Sequence, residues 1–554
     1  MRYRLSNWRL WLMLTHRWMG ISVGIMLVVW TVSGIVLLYY GLPHLTAAER
    51  LARLPPLDTA AIRISPLQAA EHLDQAPSRI RISMLDDRPV YRLNTGRAFG
   101  RWTLVYADTG EPSAAFDAED ALRSARARMP AAQRMRYDGF LAEPDLFTHN
   151  PGLQAHFPLH RIALDDPAGT VYYVSARSGE AVMKTDRQGR VLGFAGYLLH
   201  TLFFWRQKTW WSNLLLALTI AGLAMVLLGF ILGVVRFSSK PRFSHRGVLS
   251  RSPYTALMKW HHYAGLIFGA VAVTWMFSGL VSLNVVPGIR ETLYTPAQIE
   301  AGARSVQGEA ATLDLARLPL ESIHTAAAAI EAEFPVKELE VLTFDGAPYY
   351  LAYREPTPEE RRAWRSRSAF DWLTATLDHD HRIVAAAAPG EGAFREFPSE
   401  AMLPAARRAM PNAEILAAEW LHDYDDYYYD GLASFDLGLP KAAKTLPVLR
   451  VQFDDPLGTW LYLSPSHGQI LKLEAAERTN RWGYYGLHGL DFAFLFERRP
   501  LWDVVAIVLL LGVGVLSTTT LWPMALRLKR HAVRIAGRLR RLLSPAVARE
   551  APRR

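Results

Sequence analysis

The 554-residue chain contains no cysteine, which excludes disulfides, iron–sulfur clusters, thiolate metal sites and thioether-linked haem together. No G-x-G-x-x-G follows a predicted strand, so a nucleotide-binding reductase domain has no signature here. No DNA-reading motif accompanies the formal charge of +10. Acidic residues are missing from the first seventeen positions, from the basic stretch 236–259 and from the interior of every long apolar run. Each absence narrows the chain toward a membrane protein without thiol chemistry.

What the chain has is apolar length. Half of its residues are hydrophobic, and four runs reach the length that crosses a hydrocarbon core of about 30 Å. They cover roughly Met19–Tyr40, Leu214–Val235, Leu266–Val286 and Val504–Leu526. The first is too long for a signal-peptide core and ends in no small-residue cleavage site, so it reads as a retained anchor.

Basic residues beside the runs set the expected orientation. Arg2, Arg4, Arg9 and Arg17 precede the first run, and Arg236, Lys240, Arg242, Arg246, Arg251 and Lys259 join the second to the third. Arg527, Lys529, Arg530, Arg534, Arg538, Arg540 and Arg541 follow the fourth. These segments are expected in the cytoplasm of a bacterial inner membrane, with anionic lipid as neighbour of the tail. The large inserts are expected in the periplasm. The predicted division is 1–41 (amino terminus and first span), 42–192 (first periplasmic domain), 193–236 (interfacial helix and second span) and 237–258 (cytoplasmic loop). It continues with 259–286 (third span), 287–480 (second periplasmic domain), 481–526 (interfacial helix and fourth span) and 527–554 (basic tail).

The chain repeats itself. An offset of 245 carries His16, Gly20, Gly24, Trp30, Ser33 and Gly34 onto His261, Gly265, Gly269, Trp275, Ser278 and Gly279. Leu164-Asp165-Asp166-Pro167 with Gly169-Thr170 matches Phe453-Asp454-Asp455-Pro456 with Gly458-Thr459. An offset of 288 then carries Tyr197, Leu199, His200, Leu202 and Phe204 onto Tyr485, Leu487, His488, Leu490 and Phe492. The expected fold is an all-α bundle of four transmembrane helices from a tandem two-span duplication, plus two α+β periplasmic domains. Units with an even number of spans point the same way, so a pseudo-twofold along the membrane normal is expected.

That symmetry would place His16 level with His261, and His200 level with His488. Ionisable groups near apolar spans are functional candidates because burying them is costly. His16, Gly20 and Gly24 lie four residues apart and share a helix face, as do His261, Gly265 and Gly269. A histidine above a glycine groove leaves room for a flat group, although glycines also serve close helix packing. The pattern fits a porphyrin gripped by imidazoles from different helices, with haem iron bound by His16, His261, His200 and His488. Gly20, Gly24, Gly265 and Gly269 would line it, and His262 stands as the alternative to His261. Two further groups, His149, His156 and His160, and Asp423, Asp425, Asp426 and Asp430, lack a fixed ligand spacing and read mainly as loops or sheet edges.

The inserts read as helix followed by antiparallel strands: Pro66–Leu73, Val90–Leu93 and Trp102–Tyr106, then Ile323–Phe334, Glu338–Thr343 and Tyr349–Tyr353. Leu14-Thr15-His16-Arg17-Trp18-Met19-Gly20, Leu198-Leu199-His200-Thr201, Trp260-His261-His262-Tyr263-Ala264-Gly265 and Leu487-His488-Gly489 resemble the PepSY-associated transmembrane proteins. Pro89-Val90-Tyr91-Arg92 with Tyr106-Ala107-Asp108-Thr109-Gly110-Glu111 resembles a PepSY module. The resemblance implies two b-type haems and an inner-membrane ferric-siderophore reductase linked to iron uptake. Its substrate would be a ferric siderophore or another ferric complex. Its donor would be quinol or a separate cytoplasmic reductase. A non-redox PepSY sensor binding a periplasmic partner, and a small transporter, are the competing expectations.

Overall fold

The computed structural model describes residues 8–95, 101–127, 134–149, 151–205, 209–245, 247–283, 313–359, 381–429, 444–496 and 498–543. Arg2, Arg4, Arg246, Asp430 and the predicted end of the third span at Val286 lie outside the described residues. Two compact units emerge, one of residues 1–35, 206–283 and 503–554, the other of 36–205 and 284–502.

The first unit holds the spans. Among the described residues, four helices are long and apolar enough to cross a membrane: Trp8–Leu37, Trp211–Arg236, Ala256–Ser282 and a fourth beginning at Leu501. The first begins eleven residues before the predicted apolar run, so His16 lies well inside a helix rather than at its edge. The fourth breaks after Thr518 and resumes as Leu521–Leu543, a segment rich in arginine. Val23, Leu27, Met225, Val226, Ala272, Met276 and Val513 form the helix-packing core.

The second unit is built on a sheet that both inserts share. In the first insert β1 (Pro77–Leu85), β2 (Arg88–Thr95) and β3 (Arg101–Tyr106) form a meander. It is followed by β4 (Met135–Leu141), β5 (Leu159–Leu164), β6 (Val171–Ser175) and β7 (Ala181–Thr185), a four-stranded antiparallel sheet in sequential order. The short loop between the second and third spans contributes β8 (Phe243–His245) and β9 (Val248–Ser250). The second insert supplies β10 (Glu338–Phe344), β11 (Ala347–Tyr353) and β12 (His381–Ala385), then the sequential sheet β13 (Glu414–Leu421), β14 (Val448–Asp454), β15 (Trp460–Leu463) and β16 (Ile470–Leu473).

The two meanders join through β1 and β10, giving one six-stranded sheet ordered β12-β11-β10-β1-β2-β3. Ile80 faces Val341 and Ile82 faces Leu339 across the joint. Because side chains alternate along a strand, these residues fill one face with Tyr91, Tyr350, Ile323 and Ile330. Arg81 and Ser83 take the opposite face. The expected pair of α+β domains is therefore fused into a single body.

The opposite face is buried as well, and its charges are paired. Arg50 donates to Glu338 at 2.6 and 2.7 Å and to Glu180 at 3.0 Å, while Arg81 donates to Glu180 at 2.7 and 3.0 Å. Burial opposes charge on both glutamates, yet Arg81 and Arg50 hold Glu180 well below the ordinary carboxylate range, and Arg50 with Arg81 hold Glu338 below it. Glu180 comes from one insert and Glu338 from the other, so Arg50 fastens the halves together.

The repeated Asp-Pro-x-Gly-Thr motif is a turn device. Asp166 accepts from the backbone N–H and hydroxyl of Thr170 at 2.8 and 2.7 Å, and Asp455 accepts from those of Thr459 at 2.5 and 2.9 Å. Each turn closes a hairpin, β5 to β6 and β14 to β15.

Candidate functional site: two histidine pairs

His16 and His261 come together within the span unit, their ring centres 6.3 Å apart and their planes 30° apart. His16 rides on the first span and its Nδ1 lies 3.0 Å from the carbonyl oxygen of Met225 on the second. His261 rides on the third span and its Nδ1 lies 3.0 Å from the carbonyl oxygen of Leu516 on the fourth. A carbonyl only accepts, so Nδ1 must carry the hydrogen in both rings, and Nε2 keeps its lone pair. Two imidazoles thus present the same free nitrogen, each held by a neighbouring span.

His262 is engaged elsewhere. Its Nδ1 lies 2.7 Å from the Ser252 hydroxyl and its Nε2 2.9 Å from the Gly233 carbonyl, and the residue is buried. Both nitrogens are committed, leaving His261 as the member of the doublet that faces His16.

The glycines divide into two groups. A Cβ on Gly24 would meet nothing within 4 Å, and one on Gly20 would meet only the Met225 sulfur at 4.0 Å. A Cβ on Gly265 would meet only Leu516 at 3.5 Å. Gly269 instead receives the Phe230 ring, 2.8 Å from a notional Cβ, which is helix packing of the small-residue kind. Gly229 is the glycine that pattern reading missed. A methyl there would sit 2.5 Å from Cε1 of His16, so only glycine lets that ring reach its place. The sequence held no signal that singled it out, since Gly222 and Gly233 lie in the same span.

The second pair belongs to the sheet-bearing unit. His200 and His488 have ring centres 6.1 Å apart, with planes at 79°. Their local backbones match. Helix Arg187–Gly193 passes into a π-helical turn at Phe194–Leu198 just before His200. Helix Ala475–Asn480 passes into another at Arg481–Gly486 just before His488. Two residues beyond each histidine stands a leucine in the left-handed region, Leu202 at φ 50° and Leu490 at φ 53°. A bulky residue there is strained, and π-turns and strain both concentrate at functional sites. Tyr484 stacks on His488 at 5.3 Å. Beside this pair lies a buried polar knot in which the Tyr429 hydroxyl donates to Asp491 at 2.5 Å and Arg481 lies 3.8 Å from the same carboxylate.

The other sequence candidates do not converge. His160 is used at both nitrogens, by the Phe116 carbonyl at 2.8 Å and the Tyr137 hydroxyl at 3.1 Å. His156 stacks on Trp102, and His149 meets the edge of Phe203. Asp425 caps a turn through the N–H groups of Tyr427 and Tyr428 and accepts from Arg450 and Tyr462. Among the described residues no group of three or more His, Asp or Glu side chains is arranged to hold a metal ion.

Four spans and paired histidines define a polytopic membrane protein with a large sheet-bearing domain. The chain belongs to the PepSY-associated TM region family, which matches residues 13–522. No curated protein matches it in sequence.

Proposed function

We propose that this chain is a di-haem b electron-transfer protein of the bacterial inner membrane, with one haem between His16 and His261 and another between His200 and His488. The carrying observation is the spacing of the rings. A metal sits about 2.0–2.1 Å from an imidazole nitrogen and each ring centre about 1.1 Å further back, so two coaxial rings around one iron stand ~6.3 Å apart. The pairs measure 6.3 and 6.1 Å. The Nδ1–H bonds to Met225 and Leu516 supply the outer contacts that orient metal-binding histidines. The openness at Gly20, Gly24 and Gly265 supports a flat group along those helix faces.

A b-type haem supplies, when bound, a one-electron couple tuned by its axial ligands and burial. The protein's own task is to hold four imidazoles in two facing pairs, with His16 and His261 fixed in one tautomer by the Met225 and Leu516 carbonyls. Tandem duplication, cytoplasmic termini and periplasmic inserts complete the reading, supported by the repeated residues and the basic segments. The overall reaction takes one electron from quinol or a cytoplasmic reductase and delivers it to a periplasmic ferric siderophore or other ferric complex, reducing Fe(III) to Fe(II). Moving negative charge outward across an inside-negative membrane is favoured by about 2.3 kcal/mol per 100 mV.

Pyridine haemochrome analysis of the intact chain from haem-replete cells tests this directly. Two haems per chain are expected. A colourless, folded preparation would overturn the reading and favour a non-redox regulator acting through its sheet-bearing domain.

A further inference from the structure

The last helix, Leu521–Leu543, has no part in either histidine pair, and its sequence is sharply two-sided. Met524, Leu528, Ile535 and Leu539 fall at spacings of four, seven and four along one stripe, which Ala525, Ala532 and Ala536 complete. Arg527, Arg534 and Arg538 flank that stripe on one side, Lys529 and Arg540 on the other, and Arg530 stands on the far side with Leu526, Val533 and Gly537. No acidic residue occurs between Asp503 and Glu550. Leu528, Ile535 and Leu539 are exposed at 45, 57 and 51%, so among the described residues this part of the stripe is left open to its surroundings.

Length forces this segment out of the hydrocarbon. The stretch from Leu501 to Arg540 spans 40 residues, and at 1.5 Å each that reaches about 60 Å, twice a core of about 30 Å. The break falls where the side chains of Thr519 and Thr520 bond back to the backbone, just ahead of Pro523. Exposed tryptophans gather in the amino-terminal halves of the helices of this region: Trp8, Trp11 and Trp18 on the first span, Trp260 on the third and Trp522 here. Tryptophan is enriched at the membrane–water boundary. The Trp18 ring also touches His531 at 5.3 Å, which keeps the last helix beside the first span.

We infer that the Leu521–Leu543 helix is a binding surface for anionic phospholipid, its apolar stripe sunk at the boundary and its flanking arginines on headgroup phosphates. Charge complementarity selects this occupant. A second copy of the chain would bring one arginine-flanked stripe against another, with no acid on either to offset the repulsion.

The cysteine-free chain makes the test clean, because one label can be introduced at a time. Full-length protein carrying a nitroxide at Leu528→Cys, Ile535→Cys or Arg534→Cys is placed singly in nanodiscs of phosphatidylcholine, with or without phosphatidylglycerol. Collisions with oxygen and with a water-soluble nickel chelate report depth. With phosphatidylglycerol present, labels at 528 and 535 should become oxygen-accessible while the one at 534 stays nickel-accessible. Exchanging Arg527, Arg530 and Arg538 for Gln should raise the phosphatidylglycerol fraction needed for half of that change by at least ~tenfold, or abolish it. Labels at 528 and 535 that remain in water on both lipids would overturn the inference. So would burial that develops only when two copies share a disc.

Discussion

His16 and His261 each donate Nδ1–H to a carbonyl of the next span, Met225 in one case and Leu516 in the other, at the same 3.0 Å. A side chain with one nitrogen tied to rigid backbone has only the other to offer, and the two offered nitrogens belong to rings 6.3 Å apart. On the proposed di-haem reading, His16→Ala and His261→Ala should each lower bound haem from about two to about one per chain, since bis-imidazole ligation fails when either ligand is lost. The double variant should lose no more. Gly229→Ala should mimic His16→Ala with the histidine still present, because its methyl would fall 2.5 Å from Cε1. Haemochrome stoichiometry with circular dichroism separates ligand loss from misfolding. Two haems retained in Gly229→Ala would dissociate the ring's position from binding.

Much of this site was legible from the chain. Rare residues repeated at fixed offsets singled out His16, His261, His200 and His488, and these are the histidines that meet. The choice between His261 and His262 was not legible, since it depends on Ser252 and the Gly233 carbonyl, groups brought to His262 by packing. Gly229 was hidden for the same reason. The strands Val90–Leu93, Trp102–Tyr106, Glu338–Thr343 and Tyr349–Tyr353 could be read from local alternation and fall within β2, β3, β10 and β11, whereas β1 has no counterpart in that reading. The fusion of the two meanders through β1 and β10 could not be read either, because those partners lie some 260 residues apart and a strand's sequence does not name its neighbour.

Leu490 offers a test of the second pair. Its φ of 53° is costly for any side chain and worst for a β-branched one. Leu490→Val should destabilise the protein by about 1–2 kcal/mol and disturb the Soret band of one haem. Leu490→Asn, which tolerates that conformation, should bind two haems with an unshifted spectrum. Equal spectra for both variants would separate the strained backbone from the geometry of His488.

Arg50 is predicted to be the costliest single charge to remove. It joins Glu180 and Glu338, whose side chains are 4% and 1% exposed, so Arg50→Ala would take away both close hydrogen bonds of Glu338 and leave it only Arg81, at 3.6 Å. The loss should be about 3–5 kcal/mol. Arg136 pairs with Asp138 while 72% exposed, and Arg136→Ala should cost below about 1 kcal/mol. Denaturant unfolding of the two variants measures the contrast, and similar losses would show that the Arg50 network does not bind the inserts together.

His467 should give the sheet-bearing unit an acid-sensitive stability. It is 3% exposed, its ring lies 4.2 Å from that of His381, and among the described residues neither of its nitrogens has a partner. Burial first, and then the neighbouring His381, pushes it from an ordinary value of 6.5 down to about 3. The folded form therefore refuses a proton that the unfolded chain accepts once the pH drops below 6.5. Stability is complete above that value and declines as the pH falls toward the folded value, by at most about 1.4 kcal/mol per unit. His467→Phe keeps a ring against His381 and breaks no hydrogen bond, so it should unfold much as the parent does at neutral pH. At pH values around 4 to 5 the variant should be the more stable, by ~2 kcal/mol. Thermal unfolding in detergent, followed across that range, reads the difference; parallel curves for parent and variant would mean that His467 is protonated as easily in the fold as out of it.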